Sequence, residues 1–278
     1  MATAMVVKCI PLIISTIFKH LIHGPPQPSW DLNTHLQAKV IQSYFSQSYG
    51  VPRVEEIQNN PLCRNRKLPS DIKIDEIIIP NRYRINARAY IEKLVRPYEI
   101  AIDPIWKTPR DNGINGELII NKNWNGENNW AREKVVLYSH GGAYFFGSTK
   151  SVQEICYELS KESDARILSI NYRLAPQHPF PAGLCDALAT YLYLTNPPDD
   201  SGLKPYRPEQ IVLCGDSAGG GLSISLGLVL RDLGLPLPAG IVGWVSFFNR
   251  MKISNFLEKE EIFLIVFYSL ESMGGFNT

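Results

Sequence analysis

Short apolar segments alternate with longer segments of helical periodicity over residues 134–245, and this alternation restricts the fold more than any other feature of the sequence. Strands that are joined by single helices form βαβ units, which need a mostly parallel sheet with helices on its faces. We therefore predict an α/β fold, with strands at 135–138, 166–170, 210–214 and 239–245 and helices at 151–162, 182–194 and 218–233. Functional residues of such a sheet belong in the loops that follow the carboxyl ends of its strands.

The pattern before residue 134 is less regular. Residues 31–49 place apolar side chains on one helical face, and the isoleucine-rich segment 71–80 predicts a strand. The Asn- and Gly-rich segment 112–129 predicts a loop or hairpin, with a short strand at 117–120. Arg64 to Lys67 is the nearest approach to a basic run, and it is typical of a solvated loop.

The N-terminal segment 5–22 is largely apolar, but it contains Lys8, Pro11, Lys19 and His20. Its uninterrupted apolar part, 9–18, is shorter than the roughly 20 residues that a membrane-spanning helix needs. Three interpretations stay open: a helix that lies on a membrane surface or caps the domain, a signal anchor, and a cleaved signal peptide.

Charge and cysteine content exclude some classes of protein. The formal net charge is +1, so nothing in the overall charge favours nucleic acid as a partner. The five cysteines contain no C-x-x-C pair, which argues against a zinc or redox site, and we expect no metal or cofactor. An odd number of widely spaced cysteines fits reduced thiols, so we expect an intracellular protein, with association to the endoplasmic reticulum or a lipid surface left open by the N-terminal segment.

The sequence Gly215-Asp216-Ser217-Ala218-Gly219 lies directly between a predicted strand and a predicted helix. This is the context of a nucleophile elbow, in which a sharp turn projects the serine above the sheet and small flanking residues prevent clashes. The N-terminus of the following helix offers free N–H groups to a developing oxyanion. We predict Ser217 as a nucleophile, and Asp216 as an acid that stabilises the loop.

The sequence His140-Gly141-Gly142-Ala143 follows the predicted strand 135–138. Glycines there leave backbone N–H groups accessible to a substrate oxygen, so Gly141, Gly142 and Ala218 are the predicted oxyanion-hole donors. We expect His140 to shape this loop rather than to act as a base. Tyr144 and the two phenylalanines after it fit an acyl pocket and ordinary core packing equally well.

These motifs resemble the hormone-sensitive-lipase-like esterases of the α/β-hydrolase fold. Residues 140–144 are similar to the family's H-G-G-G/A oxyanion motif, residues 215–220 to its G-D-S-A-G-G elbow, and residues 171–182 to its Y-R-L-A-P-E-H-P-F-P-A segment. The resemblance covers about residues 113–245. It implies a serine hydrolase of carboxylic esters, short-acyl or lipid-like, with no cofactor, and a structural role for His178.

The sequence departs from the family after the elbow. The family's triad follows the order Ser, acid, His, whereas all five histidines of this chain precede Ser217 and Asp232 is the one aspartate after it. Only 61 residues (278 − 217) follow Ser217. We expect the C-terminal part of the fold, with the triad acid and histidine, to be missing from a truncated chain whose last strand, 239–245, is an exposed edge.

The resulting organisation has three parts: hydrophobic and cap helices at 1–50, a partial α/β-hydrolase domain at 51–245, and an atypical tail at 246–278. The expected partner is a small-molecule ester, together with a membrane surface if residues 5–22 contact one. The alternative function is a ligand-binding protein without catalysis, or an inactive fragment of the same fold.

Overall fold

The computed structural model describes residues 2–26, 69–108, 111–122, 133–244 and 263–267, together with the single positions 31, 32, 35, 36, 39 and 58. The chain forms two compact units, Met1–Pro61 with Leu270–Thr278, and Leu62–Ser269. The predicted helix at 31–49 and the basic segment at 64–67 lie largely or wholly outside the described residues.

The described part of the first unit is dominated by one helix, α1 (Ala2–His23), which contains Pro11. Its apolar composition predicted a helix in this region, and the structure confirms it. In the part of the chain that the structure describes, no helix is both long and apolar enough to cross a membrane.

The second unit is built on a seven-stranded sheet with the order β1-β2-β4-β3-β5-β6-β7. The strands are β1 (Ile72–Pro80), β2 (Gly113–Asn121), β3 (Val135–Ser139), β4 (Arg166–Ile170), β5 (Ile211–Asp216), β6 (Gly240–Trp244) and β7 (Phe263–Phe267). Only β2 runs against the rest, because it pairs antiparallel with both β1 and β4 while all later pairs are parallel. The predicted α/β fold with a mostly parallel sheet is confirmed.

Helices cover both faces of this sheet. They are α2 (Asn81–Val95), α3 (Thr149–Ser163), α4 (Ala182–Thr195) and α5 (Ala218–Asp232), and short 3₁₀ turns lie at Arg96–Ala101, Pro104–Lys107, Asp199–Ser201 and Pro208–Gln210. Alternate residues of a strand point to opposite faces. Val135 and Leu137 of β3 accordingly join the core under α2, α4 and α5, whereas Val136 and Tyr138 join the core under α3.

Three details differ from the sequence-based expectation. The sheet does not end at residue 245, because β7 pairs in parallel with β6 from within the predicted tail. β2 spans nine residues rather than four, because its Asn and Gly residues pair along the whole of β1. Helix α2, which buries Tyr83, Ala87 and Ile91 at four-residue spacing, was not predicted.

Candidate active site

Ser217 is the single residue between β5 and α5. Its backbone has φ 49° and ψ −117°, a conformation that non-glycine residues rarely adopt and that costs about 1–3 kcal/mol. The side chain is exposed, although Gly215 and Ala218 on either side are buried. The strained turn therefore lifts one hydroxyl out of an otherwise buried junction, as the elbow motif predicts.

Two glycines of the elbow allow the backbone of β3 to come close. A Cβ atom on Gly219 would lie 2.6 Å from the carbonyl oxygen of His140, and one on Gly215 would lie 2.5 Å from that of Ser139. Because these neighbours are backbone atoms, neither can move aside cheaply. The close contact brings the loop after β3 alongside the elbow.

The carboxylate of Asp216 joins this loop to the elbow. Its Oδ1 accepts hydrogen bonds from the Tyr138 hydroxyl and from the Gly141 N–H, both at 2.9 Å. Tyr138 is fully buried, and burial together with the neighbouring carboxylate raises the pKa of its hydroxyl. Asp216 was predicted to stabilise the loop, and these two hydrogen bonds are the contacts through which it would do so.

The hydrogen bond from the Gly141 N–H to Asp216 changes the set of N–H groups that can bind an oxyanion. Gly141 was expected to offer its N–H to substrate, but that N–H already donates to Asp216. Among the described residues, the N–H groups of Gly142, Ala143 and Ala218 have no acceptor. Gly142 and Ala143 have positive φ values of 119° and 52°, and the Gly142 carbonyl accepts from two later N–H groups of the loop. Ala143 is a donor candidate that the sequence analysis did not identify.

His140 is part of the scaffold of this loop. Its ring is fully buried, lies 4.4 Å from the ring of Tyr172 in a stacked arrangement, and bonds through Nδ1 to the Gly141 carbonyl at 2.7 Å. The Tyr172 hydroxyl donates to the His140 carbonyl at 2.7 Å. Burial lowers the pKa of the imidazole, which favours its neutral form, and shields the ring from solvent.

A buried ionic network fixes the segment that carries Tyr172. Asp186 on α4 is fully buried and accepts from the Arg173 backbone N–H, from the Arg173 guanidinium and from the Arg84 guanidinium, at 2.8 to 3.2 Å. Arg173 also donates to the Trp106 carbonyl at 2.8 Å. This network was not predicted from the sequence, and its Arg84–Asp186 pair spans 102 residues.

The remaining predicted residues have varied positions. His178 lies half-buried in the loop after β4, its Nδ1 has no partner among the described residues, and burial lowers the pKa of its ring. Tyr144 is 44% exposed, and its carbonyl accepts from Ala175. Asp232 forms an exposed ion pair with its neighbour Arg231 at the far end of α5.

Among the described residues, no three His, Cys, Asp or Glu side chains are grouped as metal ligands. Four clefts of the described structure are lined by residues within 82–107 and 191–236, and none of these four contains Ser217.

Comparison with known proteins agrees with the fold and the motifs. A family described as alpha/beta hydrolase fold matches residues 136–264, which include the loop after β3 and the elbow. An acetyl-hydrolase of Streptomyces hygroscopicus is 40% identical over 109 residues, and carboxylesterase NlhH of Mycobacterium tuberculosis (strain ATCC 25618 / H37Rv) is 35% identical over 102. These segments cover 39% and 37% of this chain.

The chain spans about a third of the length of these two relatives, 34% and 31% respectively. A crystal structure of EstE5-PMSF aligns with a TM-score of 0.51 at 26% identity, over 76% of this chain and 58% of the other. The family match also continues past residue 245, where the resemblance was expected to stop, and includes the start of β7. The matched residues, the sheet and the two motifs together show an α/β-hydrolase fold, and residues 136–264 are similar to the family of that description.

Proposed function

We propose that this chain carries the nucleophile and the oxyanion side of a serine hydrolase that acts on small carboxylic esters. The observation that carries the proposal is the exposed Ser217, held at a left-handed φ between β5 and α5 and beside a loop with free N–H groups. Relatives named acetyl-hydrolase and carboxylesterase are similar to part of this chain and support an ester as the substrate.

Each residue has a distinct role in this proposal. The Ser217 hydroxyl oxygen attacks the ester carbonyl carbon and loses its proton, the ester C–O bond breaks, and the alcohol leaves in protonated form, so that an acyl-enzyme remains on Ser217. Gly142 and Ala218, with Ala143, donate N–H groups to the oxyanion, and one such donor contributes about 3 kcal/mol to transition-state stabilisation. Gly141 is not an oxyanion donor in this proposal, because its N–H donates to Asp216 and so fixes the loop to the elbow.

A general base is not among the described histidines of the second unit. His140 has its ring fully buried, so its free Nε2 cannot take a proton from an exposed hydroxyl. His178 lies in a separate loop, with one ring nitrogen buried. We propose that the triad acid and histidine are not supplied by these 278 residues, so the chain alone turns over esters about 10⁴-fold more slowly than a complete triad.

A fluorophosphonate probe tests the nucleophile directly. Oxyanion stabilisation without a triad leaves about 10³-fold acceleration, so Ser217 in the folded chain should react about 10³ times faster than in the urea-unfolded chain. Intact mass and peptide mapping measure the adduct. Ser217→Ala should abolish labelling. Ser225→Ala is the matched control, because Ser225 lies on α5, the helix that follows Ser217, and its hydroxyl donates to the Gly221 carbonyl.

The second candidate is a ligand-binding protein without catalysis, and the burial of His140 favours it. Equal labelling rates for folded and unfolded chain would contradict the hydrolase proposal and leave this alternative.

A further inference from the structure

Helix α1 exposes a continuous stripe of large apolar side chains. Ile10, Ile14, Phe18, Leu21 and Ile22 are each between 44% and 73% exposed. At about 100° per residue these five positions fall within an arc of roughly 120°, which is the width of the apolar face of an amphipathic helix. The stripe therefore extends along the C-terminal two thirds of the helix.

A different face of α1 is partly buried, and one of its residues contacts another part of the first unit. Thr16 is buried and donates to the Leu12 carbonyl at 2.7 Å, while Leu12 and Ile13 are half-buried. The ring nitrogen Nδ1 of His20 lies 3.2 Å from that of His35. The helix thus has one face engaged with protein and a second apolar face that remains exposed.

The N-terminal segment contains basic side chains and no acidic ones. Residues 1–30 contain no Asp or Glu, whereas Lys8, Lys19, His20 and His23 all lie within the helix. Lys19 is exposed and lies about 60° beyond the edge of the stripe that Ile22 forms. A basic, acid-free helix with one exposed apolar face complements a surface that is anionic outside and apolar beneath.

We propose that α1 binds the surface of an anionic phospholipid bilayer, lying in its plane with the stripe buried at the boundary of headgroups and acyl chains. Lys19 then faces the lipid phosphates. The proposal concerns binding alone and does not depend on the hydrolase proposal, because neither the stripe nor Lys19 belongs to the elbow.

Vesicle flotation of the full chain tests it, with vesicles of phosphatidylcholine alone and of phosphatidylcholine mixed with phosphatidylserine. The wild-type chain should float with the mixed vesicles. Phe18→Glu should lower its partition coefficient by at least about tenfold, because one large apolar contact is lost and a negative charge is added. Lys19→Glu should weaken binding to the mixed vesicles and leave binding to phosphatidylcholine nearly unchanged.

Phe180→Glu is the matched control, because Phe180 lies in the second unit and is 65% exposed, against 61% for Phe18. Circular dichroism of each variant should show the helix content of the wild-type chain. Unchanged flotation of Phe18→Glu would overturn the proposal. So would a chain that does not float and instead forms a dimer that Phe18→Glu dissociates, because the stripe would then bind a second copy.

Discussion

Removal of the Asp216 carboxylate should destabilise the second unit and slow the reaction of Ser217. The carboxylate is the common acceptor of the Tyr138 hydroxyl and the Gly141 N–H. A hydrogen bond to a charged group contributes about 1.5–3 kcal/mol, and an unmatched donor that is fully buried retains its desolvation cost. The Gly141 N–H can bond to water after the substitution, but the Tyr138 hydroxyl cannot, because its side chain is fully buried. We therefore expect Asp216→Ala to lower the free energy of unfolding by about 2–4 kcal/mol.

A double-mutant cycle separates the two bonds. Tyr138→Phe removes one donor and should cost about 1–2 kcal/mol, and the double variant should reveal a coupling energy of about 1–2 kcal/mol with Asp216→Ala. Urea unfolding followed by tryptophan fluorescence measures stability, and the fluorophosphonate rate at Ser217 measures the site. That rate should fall at least about tenfold in Asp216→Ala, because the loop that offers the oxyanion donors is released.

Asp232→Ala is the matched control, since this aspartate forms an exposed pair at the far end of α5 and such pairs contribute about 0–1 kcal/mol. Asp216→Asn keeps an acceptor oxygen and should recover most of the lost stability. The reasoning is refuted if Asp216→Ala unfolds at the same urea concentration and labels at the same rate as Asp232→Ala.

Three further predictions address other parts of the structure. Gly219→Ala should prevent native packing of the elbow and abolish preferential labelling, because its Cβ would overlap the Ser139 carbonyl; the labelling rate checks this. Asp186→Ala should cost about 3–5 kcal/mol in urea unfolding, because two buried arginines lose their shared carboxylate. The hydrogen bond between Tyr157 and Asp71 lowers the pKa of Asp71 and raises that of Tyr157 to about 12. Its contribution should therefore be lost as the pH falls below about 4 and again as it rises from about 10 towards 12; Tyr157→Phe should flatten both ends of a stability-versus-pH curve, and unchanged curves would contradict this assignment.

Local patterns predicted the parallel part of the fold and the position of the elbow. The strands β3 to β6 were predicted to within one or two residues, because strand and helix periods differ clearly over 134–245. The glycines around Ser217 identified a tight turn, since few other residues permit one. The periodicity of Tyr83, Ala87 and Ile91 was also present in the sequence and would have indicated α2.

Other features depend on contacts between distant residues, and no local pattern encodes them. Nothing in the sequence links Arg84 to Asp186 across 102 positions. The glycines of the loop after β3 predicted accessible N–H groups. The conformation of the loop decides which of these N–H groups donates to Asp216, and no local pattern encodes that conformation. β7 was missed because a single apolar run fits a strand and a helix segment equally well.

The backbone N–H of Ser217 donates to the carbonyl oxygen of Trp244 at 2.6 Å, where β6 ends. The position of Ser217 thus depends on the neighbouring strand β6 as well as on β5, which it follows. A shift of β6 by one residue would turn every side chain of that strand to the opposite face and withdraw this carbonyl. Insertions or deletions before Gly240 should consequently impair the serine even though they lie far from it along the chain.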